Sequence, residues 1–247
     1  MINIICLKWG DKYDHEWVNR LYLMVKNRCS VPFNFYCVTE NPHKLHEEVN
    51  VIDLPLQYEL ETFWWKLWLF SEEFPLKGKN LFFDLDTVIQ NDIKDLCEYN
   101  PEDKICILEA KWRENIRKSD PDKSATNSSV MLWDSKYNNA VWSKFILDSD
   151  KYMLTYPGND DFMESVTEGN IGKLPHKWFY CRAWGYDDTD PDQESRRTDP
   201  YIDAWNINWP LYNMPERMIC LFNGVDYREG MDMRIWEGFS HYYENLK

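Results

Sequence analysis

The 247-residue chain predicts an α/β fold: one domain, residues 1–247, with a mixed, mostly parallel sheet flanked by helices. Three observations carry this. Short apolar runs at Ile2–Leu7 and Leu81–Phe83 read as strands buried on both faces, as in a parallel sheet. The opening order is strand, helix, strand, strand, which belongs to α/β sheets. The length suffices for a full core, and no repeat or linker composition divides it.

Ile2 to Leu7 is the first strand, and Lys8-Trp9-Gly10-Asp11-Lys12-Tyr13 leaves it. That segment has two readings. It is a plain strand-to-helix turn, or a place where Trp9 or Tyr13 stacks on a base and Gly10 lets the backbone approach a ligand. Asp14 is a good N-cap for a helix to about Arg28, with Trp17, Val18, Leu21, Met24 and Val25 as its apolar stripe. Phe33, Phe35 and Cys37 alternate with smaller or polar residues, which predicts a strand ending near Thr39. Val49 to Leu54 is a shorter one.

Glu61 to Phe70 (ETFWWKLWLF) predicts a nearly buried helix whose one positive charge is Lys66. A lysine there snorkels to solvent or reaches an anion. Leu81-Phe82-Phe83 then ends in Asp84-Leu85-Asp86. On an extended chain, side chains two apart point the same way, with Cα atoms roughly 6.5–7 Å apart. Two such carboxylates repel unless a cation sits between them, and Mg²⁺ or Mn²⁺ fits that role. Strand ends in open α/β sheets are also where ligands bind. The plain alternative is a loop that holds two acids.

Beyond the Asp pair, Asp92 to Glu98 reads as a short helix and Lys104 to Leu108 as a strand. The loop from Lys111 to Ser124 carries Lys111, Arg113, Arg117, Lys118 and Lys123, which form a basic cluster in an acidic chain. Small polar residues, Thr126 to Ser129, lead into an apolar strand ending at Trp133 and leave room for a ligand. A helix is expected from about Lys136 to Leu147. Gly158-Asn159-Asp160-Asp161-Phe162 opens another through Val166, where the acids also suit the helix dipole. Residues 187–211, with Trp205 and Trp209, read as an irregular but ordered excursion covering the sheet or the acceptor side of a site. Met218 to Phe222 is a last strand, ending in Asn223-Gly224, and Asp232 to Leu246 is a helical tail.

Net charge is −14, which argues against a nucleic-acid backbone or an anionic membrane as the main partner. A nucleoside diphosphate stays admissible, because a bound divalent ion inverts the local field. The aromatic load of 13 Trp, 15 Tyr and 12 Phe exceeds ordinary core needs and suits a carbohydrate enzyme. Seven cysteines without a Cys-x-x-Cys pair imply a reducing compartment. With no signal-like start and no stretch able to span a bilayer, a cytoplasmic protein is expected.

Taken together, the chain resembles the GT-A glycosyltransferases, close to the family-8-like group with a Rossmann-like core. The resemblance rests on Ile4 to Tyr13, Trp64 to Trp68, Leu81 to Ile89, Asn127 to Trp133, Gly158 to Phe162 and Met218 to Gly224. It implies that Asp84 and Asp86 hold Mn²⁺ or Mg²⁺ against the diphosphate of a UDP-linked sugar donor. It implies donor contacts for Lys8, Trp9, Tyr13, Lys66, Leu85 and Ser128. Asn127 lies near the donor sugar, and either Asn159-Asp160 or Asp160-Asp161 near the reacting centre, with Asp160 or Asp161 facing a glycan or other hydroxyl acceptor. The family's Phe-His-Gly stands here as Phe222-Asn223-Gly224, so Asn223 takes the third metal position with an oxygen in place of an imidazole. The lysine usual after that Gly is replaced by Asp226, Tyr227 and Arg228. Two other readings use the same residues. One is a haloacid-dehalogenase-like phosphatase, with Asp84 as nucleophile and Asp86 as general acid. The other is a catalytically silent GT-A domain that only binds a nucleotide or glycan.

Overall fold

The computed structural model describes residues 1–102, 104–111, 126–137, 139–167, 170–181 and 217–222. In chain order its elements are β1 (Ile2–Lys8), α1 (His15–Arg28), β2 (Phe33–Thr39), β3 (Asn50–Asp53), β4 (Lys79–Phe83), β5 (Thr87–Ile89) and α2 (Lys94–Glu98). There follow β6 (Cys106–Glu109), β7 (Thr126–Asp134), α3 (Asn139–Phe145), α4 (Ser149–Thr155), α5 (Asn159–Val166), β8 (Gly172–Leu174), β9 (Phe179–Cys181) and β10 (Ile219–Leu221).

The expected mixed, mostly parallel sheet is present. Seven strands run in the order β3-β2-β1-β4-β7-β6-β8. β1 pairs in parallel with β2 and β4, β2 with β3, and β6 with β8. β7 alone runs against its neighbours, antiparallel to both β4 and β6. A smaller sheet, β5-β10-β9, lies beyond the end of β4.

Strand alternation feeds two cores. Ile4, Cys6, Leu81, Phe83, Val130 and Leu132 face one side, with α1, α2 and the small sheet. Ile5, Phe82, Met131 and Trp133 face the other, with the aromatic segment, α3 and α5. This is why Leu81-Phe82-Phe83 is apolar without interruption: both faces are covered.

α1 matches its expectation. Asp14 accepts a hydrogen bond from the Glu16 amide at 3.0 Å, and the apolar stripe is buried. The aromatic segment is helical and buried as expected, but it is a 3-10 helix, Thr62–Phe70, with seven of nine residues buried. Runs this long are uncommon, because 3-10 hydrogen bonds are poorly aligned. Burial on every side outweighs that cost here, and the Trp64 ring stacks on Phe145 at 5.5 Å and 7°.

Four expectations need correction. Asp84 to Asp86 is a turn rather than extended chain, because the chain swings from β4 into the second sheet. The small residues Thr126 to Ser129 lie inside β7, since their backbone is paired: Leu108 opposes Asn127 and Glu109 opposes Thr126. The helix expected over 136–147 is a 3-10 turn, Ser135–Tyr137, followed by the shorter α3. The sequence predicts no strand at β5, β8 or β9, each being three residues and too short to show a period. The excursion at 187–211, Trp205, Trp209, Asn223, Arg228, the tail and all of the basic loop except Lys111 lie outside the described residues.

The sheet edge is tightly fitted at Gly172, which opposes Cys106 across β8 and β6. A Cβ added there would lie 2.3 Å from the Cys106 sulfur and 3.4 Å from its Cα. Gly172→Ala should therefore lower stability by about 1–3 kcal/mol, the usual range for overpacking. Urea unfolding checks this, and Cys106→Ala in the same chain should recover part of the loss.

Candidate functional site

The site forms where the C-terminal end of β4 meets the N-terminal end of β7. The antiparallel pairing of these strands ends at Phe83 and Val130, and one step further the Asp84 amide donates to the Ser129 carbonyl at 2.8 Å. This brings Asp84 beside Asn127, Ser128 and Ser129.

Lys66 closes the arrangement from the aromatic side. Its side chain does not snorkel: the residue is 8% exposed, and its ammonium lies 2.7 and 2.8 Å from the two carboxylate oxygens of Asp84. The same Nζ donates to the Ser128 carbonyl at 3.4 Å and the Ser128 hydroxyl at 3.3 Å, and it sits over the Phe82 ring at 5.4 Å. A buried ammonium needs several oxygen acceptors to offset its lost hydration. The Asp84 side chain keeps 23% exposure, so one edge of the pair still faces solvent.

Ser128 links this pair to α5. Its hydroxyl accepts from Asn159 Nδ2 at 2.9 Å, and its amide donates to Asp160 Oδ1 at 2.9 Å. Asn127 is buried and accepts from the Ser129 amide at 3.0 Å. Thus Lys66, Asp84, Ser128 and Asp160 form one connected polar chain joining the aromatic 3-10 helix, the end of β4, β7 and α5. Asn159 belongs to it as well. Of the two candidate pairs on this stretch, Asn159 and Asp160 are the ones bonded to Ser128.

Asp86 is reached from the opposite side. The Tyr13 hydroxyl donates to Asp86 Oδ2 at 3.0 Å, and the Lys12 ammonium lies 4.9 Å from the Tyr13 ring centre. The Tyr13 ring packs edge-on against Trp17 at 5.0 Å. Between the two acids, Leu85 turns its side chain into the core, so a ligand contact at Leu85 is open to its backbone only. Burial, followed by the neighbouring Asp84 carboxylate, pushes the Asp86 carboxyl above its ordinary range; Lys12, Tyr13 and Lys66 pull the other way.

The remaining sequence candidates are spread around this centre. Lys8 is buried at the end of β1, in register with Thr39. Trp9 is half-buried against the aromatic core. Gly10 adopts φ +63°, and its amide donates to Glu40 at 2.7 Å, which shapes the turn. Asp161 is half-buried on the first turn of α5. Lys111 is in weak contact with Glu109 at 3.9 Å.

Two hard carboxylates in one turn, one of them disfavoured as an anion, make a donor set that fits a hard divalent cation. Among the described residues no group of three or more His, Cys, Asp or Glu is placed to hold a metal. Any further ligand must therefore be of another residue type, or come from outside those residues.

This fold is shared with glycosyltransferases. The galactosyltransferase LgtC, solved with donor and acceptor sugar analogs, is similar over 99% of this chain and 96% of its own, with a TM-score of 0.63 and 12% identity. GlyE of Streptococcus pneumoniae is similar at TM-score 0.62 and 13% identity, and the bifunctional glycosyltransferase WbbM at 0.59 and 10%. The chain spans 63% of GlyE and 50% of WbbM. At these identities the likeness is one of fold, and the architecture is the GT-A type. No protein-family model matches the chain, and no curated protein is similar to it in sequence.

The raised Asp86 carboxyl has a stability consequence. In the fold Asp86 holds its proton to a higher pH than in the unfolded chain, so stability falls as pH rises through that interval. Without metal at pH 7, Asp86→Asn should therefore melt at a higher temperature than wild type. The gap should close as pH falls toward about 3.9, the ordinary Asp value, where wild-type Asp86 is neutral too. Thermal melts in chelator across pH 4–7 measure it.

Proposed function

We propose that the chain is a metal-dependent glycosyltransferase that moves a sugar from a nucleotide-sugar donor, UDP-linked, to a hydroxyl acceptor such as a glycan. The observation that carries this is the Asp84–Asp86 turn at the end of β4, joined by Lys66 and Ser128 to Asp160 within a glycosyltransferase fold. Asp84 and Asp86 would hold Mn²⁺ or Mg²⁺, with Asn223 as a third, oxygen ligand. The cation supplies neutralisation of the diphosphate as it leaves.

The chain's own residues do the rest. Lys66, with its ammonium between Asp84 and Ser128, would donate to a phosphate oxygen while keeping one carboxylate contact. Tyr13 orients the Asp86 carboxylate by its hydroxyl. Lys8, Trp9 and the Leu85 backbone border the donor's nucleoside. Asn127 and Ser128 lie along the sugar, and Asp160 or Asp161 supports charge at the sugar carbon or positions the acceptor. Asp160 holds the Ser128 amide through Oδ1, which ties this end of α5 to β7. Seven cysteines outside any disulfide suit a reducing, cytoplasmic setting.

The phosphatase reading of the Asp pair draws no support from the fold. It also leaves Asp84, its nucleophile, engaged at both oxygens by Lys66. The silent-domain reading keeps one observation in its favour: a cation bound at Asp84 must compete with Lys66 for the same oxygens.

Calorimetry of UDP with the whole chain tests the proposal. Binding should weaken at least tenfold, about 1.4 kcal/mol, when Mn²⁺ is replaced by chelator, and again in Asp84→Asn. Mn²⁺-dependent release of UDP from a UDP-sugar should accompany binding. Equal affinity with and without metal would overturn the metal bridge. Tight binding without turnover across a panel of UDP- and GDP-sugars would favour the silent domain. Phosphate release from a simple phosphomonoester would favour the phosphatase.

A further inference from the structure

Away from the Asp84 site, the structure brings two thiols together. The Cys29 and Cys97 sulfurs lie 3.7 Å apart, although the residues are 68 positions apart in the chain. All seven cysteines are reduced, and six are buried; Cys29 alone is partly exposed. Cys6 and Cys37 also oppose each other, across β1 and β2, but both are fully enclosed in the sheet.

The backbone around Cys29 and Cys97 is already held in register. The Ile93 amide donates to the Arg28 carbonyl at 2.8 Å, and Arg28 Nε donates to the Gln90 carbonyl at 3.1 Å. The Ser30 hydroxyl and amide donate to the Asp92 carboxylate at 2.6 and 3.2 Å. Cys29 itself sits just past α1 in extended conformation, at φ −120° and ψ 100°. Its side chain can therefore turn without unwinding the helix. Closing the sulfurs from 3.7 Å to the ~2.05 Å of a disulfide is then a local adjustment.

We propose that Cys29 and Cys97 form a reversible disulfide, a modification site reached through Cys29 by low-molecular-weight disulfides such as oxidised glutathione. The Cys29 thiolate attacks one sulfur of the oxidant, forming a mixed disulfide and expelling one thiolate. The Cys97 thiol, losing its proton, attacks the Cys29 sulfur and expels the second. Two protein thiols are oxidised to one disulfide, and the small disulfide is reduced to two thiols. The two cysteines are unequal in the way this order requires. The hydrogen bond from Cys97 lowers Cys29 below the ordinary thiol range, and the same bond, with burial, raises Cys97. The product would tie the end of α1 to α2. Tyr13, just before α1, and Asp86, just before β5, join the other ends of the same stretches, so the bond would close a ring through the Asp turn.

The test uses the whole reduced chain, incubated with oxidised glutathione, trapped with an alkylating agent and mapped by peptide mass. A single Cys29–Cys97 linkage is expected, with the other five thiols alkylated only after unfolding. The melting temperature should rise by roughly 5–15 °C and return with dithiothreitol. Cys97→Ser should instead stop at glutathione on Cys29. The proposal fails if wild type accumulates a stable mixed disulfide on Cys29. It fails equally if other cysteines pair as fast, or if no thiol reacts before the chain unfolds.

Discussion

The ion pair between Lys66 and Asp84 is the contact around which the site is arranged. An ammonium placed on a buried aromatic segment has no water to turn to, so its position is set by where oxygen acceptors can be gathered. The chain gathers them from two strands: the carboxylate at the end of β4, and the carbonyl and hydroxyl of Ser128 on β7. Removing one member of a buried pair leaves the other charged and unsatisfied, typically at a cost of ~3–5 kcal/mol, reduced here by the partial exposure of Asp84. The aromatic 3-10 helix, the strand end and α5 are thereby committed to one another through a handful of polar atoms. The tryptophans have a matching role. Trp64, Trp65 and Trp68 are buried along the segment that carries the lysine, whose ammonium lies over the Phe82 ring, and Asp84 keeps the partly exposed edge of the pair.

Much of the fold is legible in sequence, because its central elements are either long enough to show a period or uniformly apolar. β1, β2, β4 and α1 follow this rule. The elements that escape it are those whose pairing is decided elsewhere in the chain. Thr87–Ile89 becomes a strand because Ile219–Leu221 lies against it, and Gly172–Leu174 because Cys106–Leu108 does. Three residues cannot announce such a partner. The segment Thr126–Ser129 misleads for a related reason. Its composition is that of a loop, yet the ladder with β6 and a polar site at its end hold it as strand.

The site was legible where a residue type is out of place: two acids after an apolar strand, and one lysine among tryptophans. What composition could not supply is direction. That Lys66 faces Asp84, that Tyr13 reaches Asp86 through its hydroxyl, and that Asn159 joins Ser128 depend on which strand ends meet. The turn at Asp84–Asp86 is the sharpest example. Read as extended chain it would present two parallel carboxylates. As a turn it sends Leu85 into the core and lets two different elements approach the two acids from opposite sides.

The reversed direction of β7 also governs how the site can assemble during folding. Phe83 pairs with Val130, so the central ladder closes a loop that contains β5, α2 and β6. Such pairings meet their loop-closure entropy before their contacts repay it, and they form later than local ones. Lys66 and Asp84 are only 18 residues apart, whereas Asp160 comes to Ser128 across 32 and Tyr13 to Asp86 across 73. A chain growing from its N-terminus can set the charge pair early, as a seed between the aromatic helix and β4. Ser128 and the α5 groups bonded to it arrive only when β7 has run back alongside. The Lys66–Asp84 contact thus closes a short loop, whereas a chain stopped before β7 would lack the Ser128 oxygens that complete the lysine's set of acceptors.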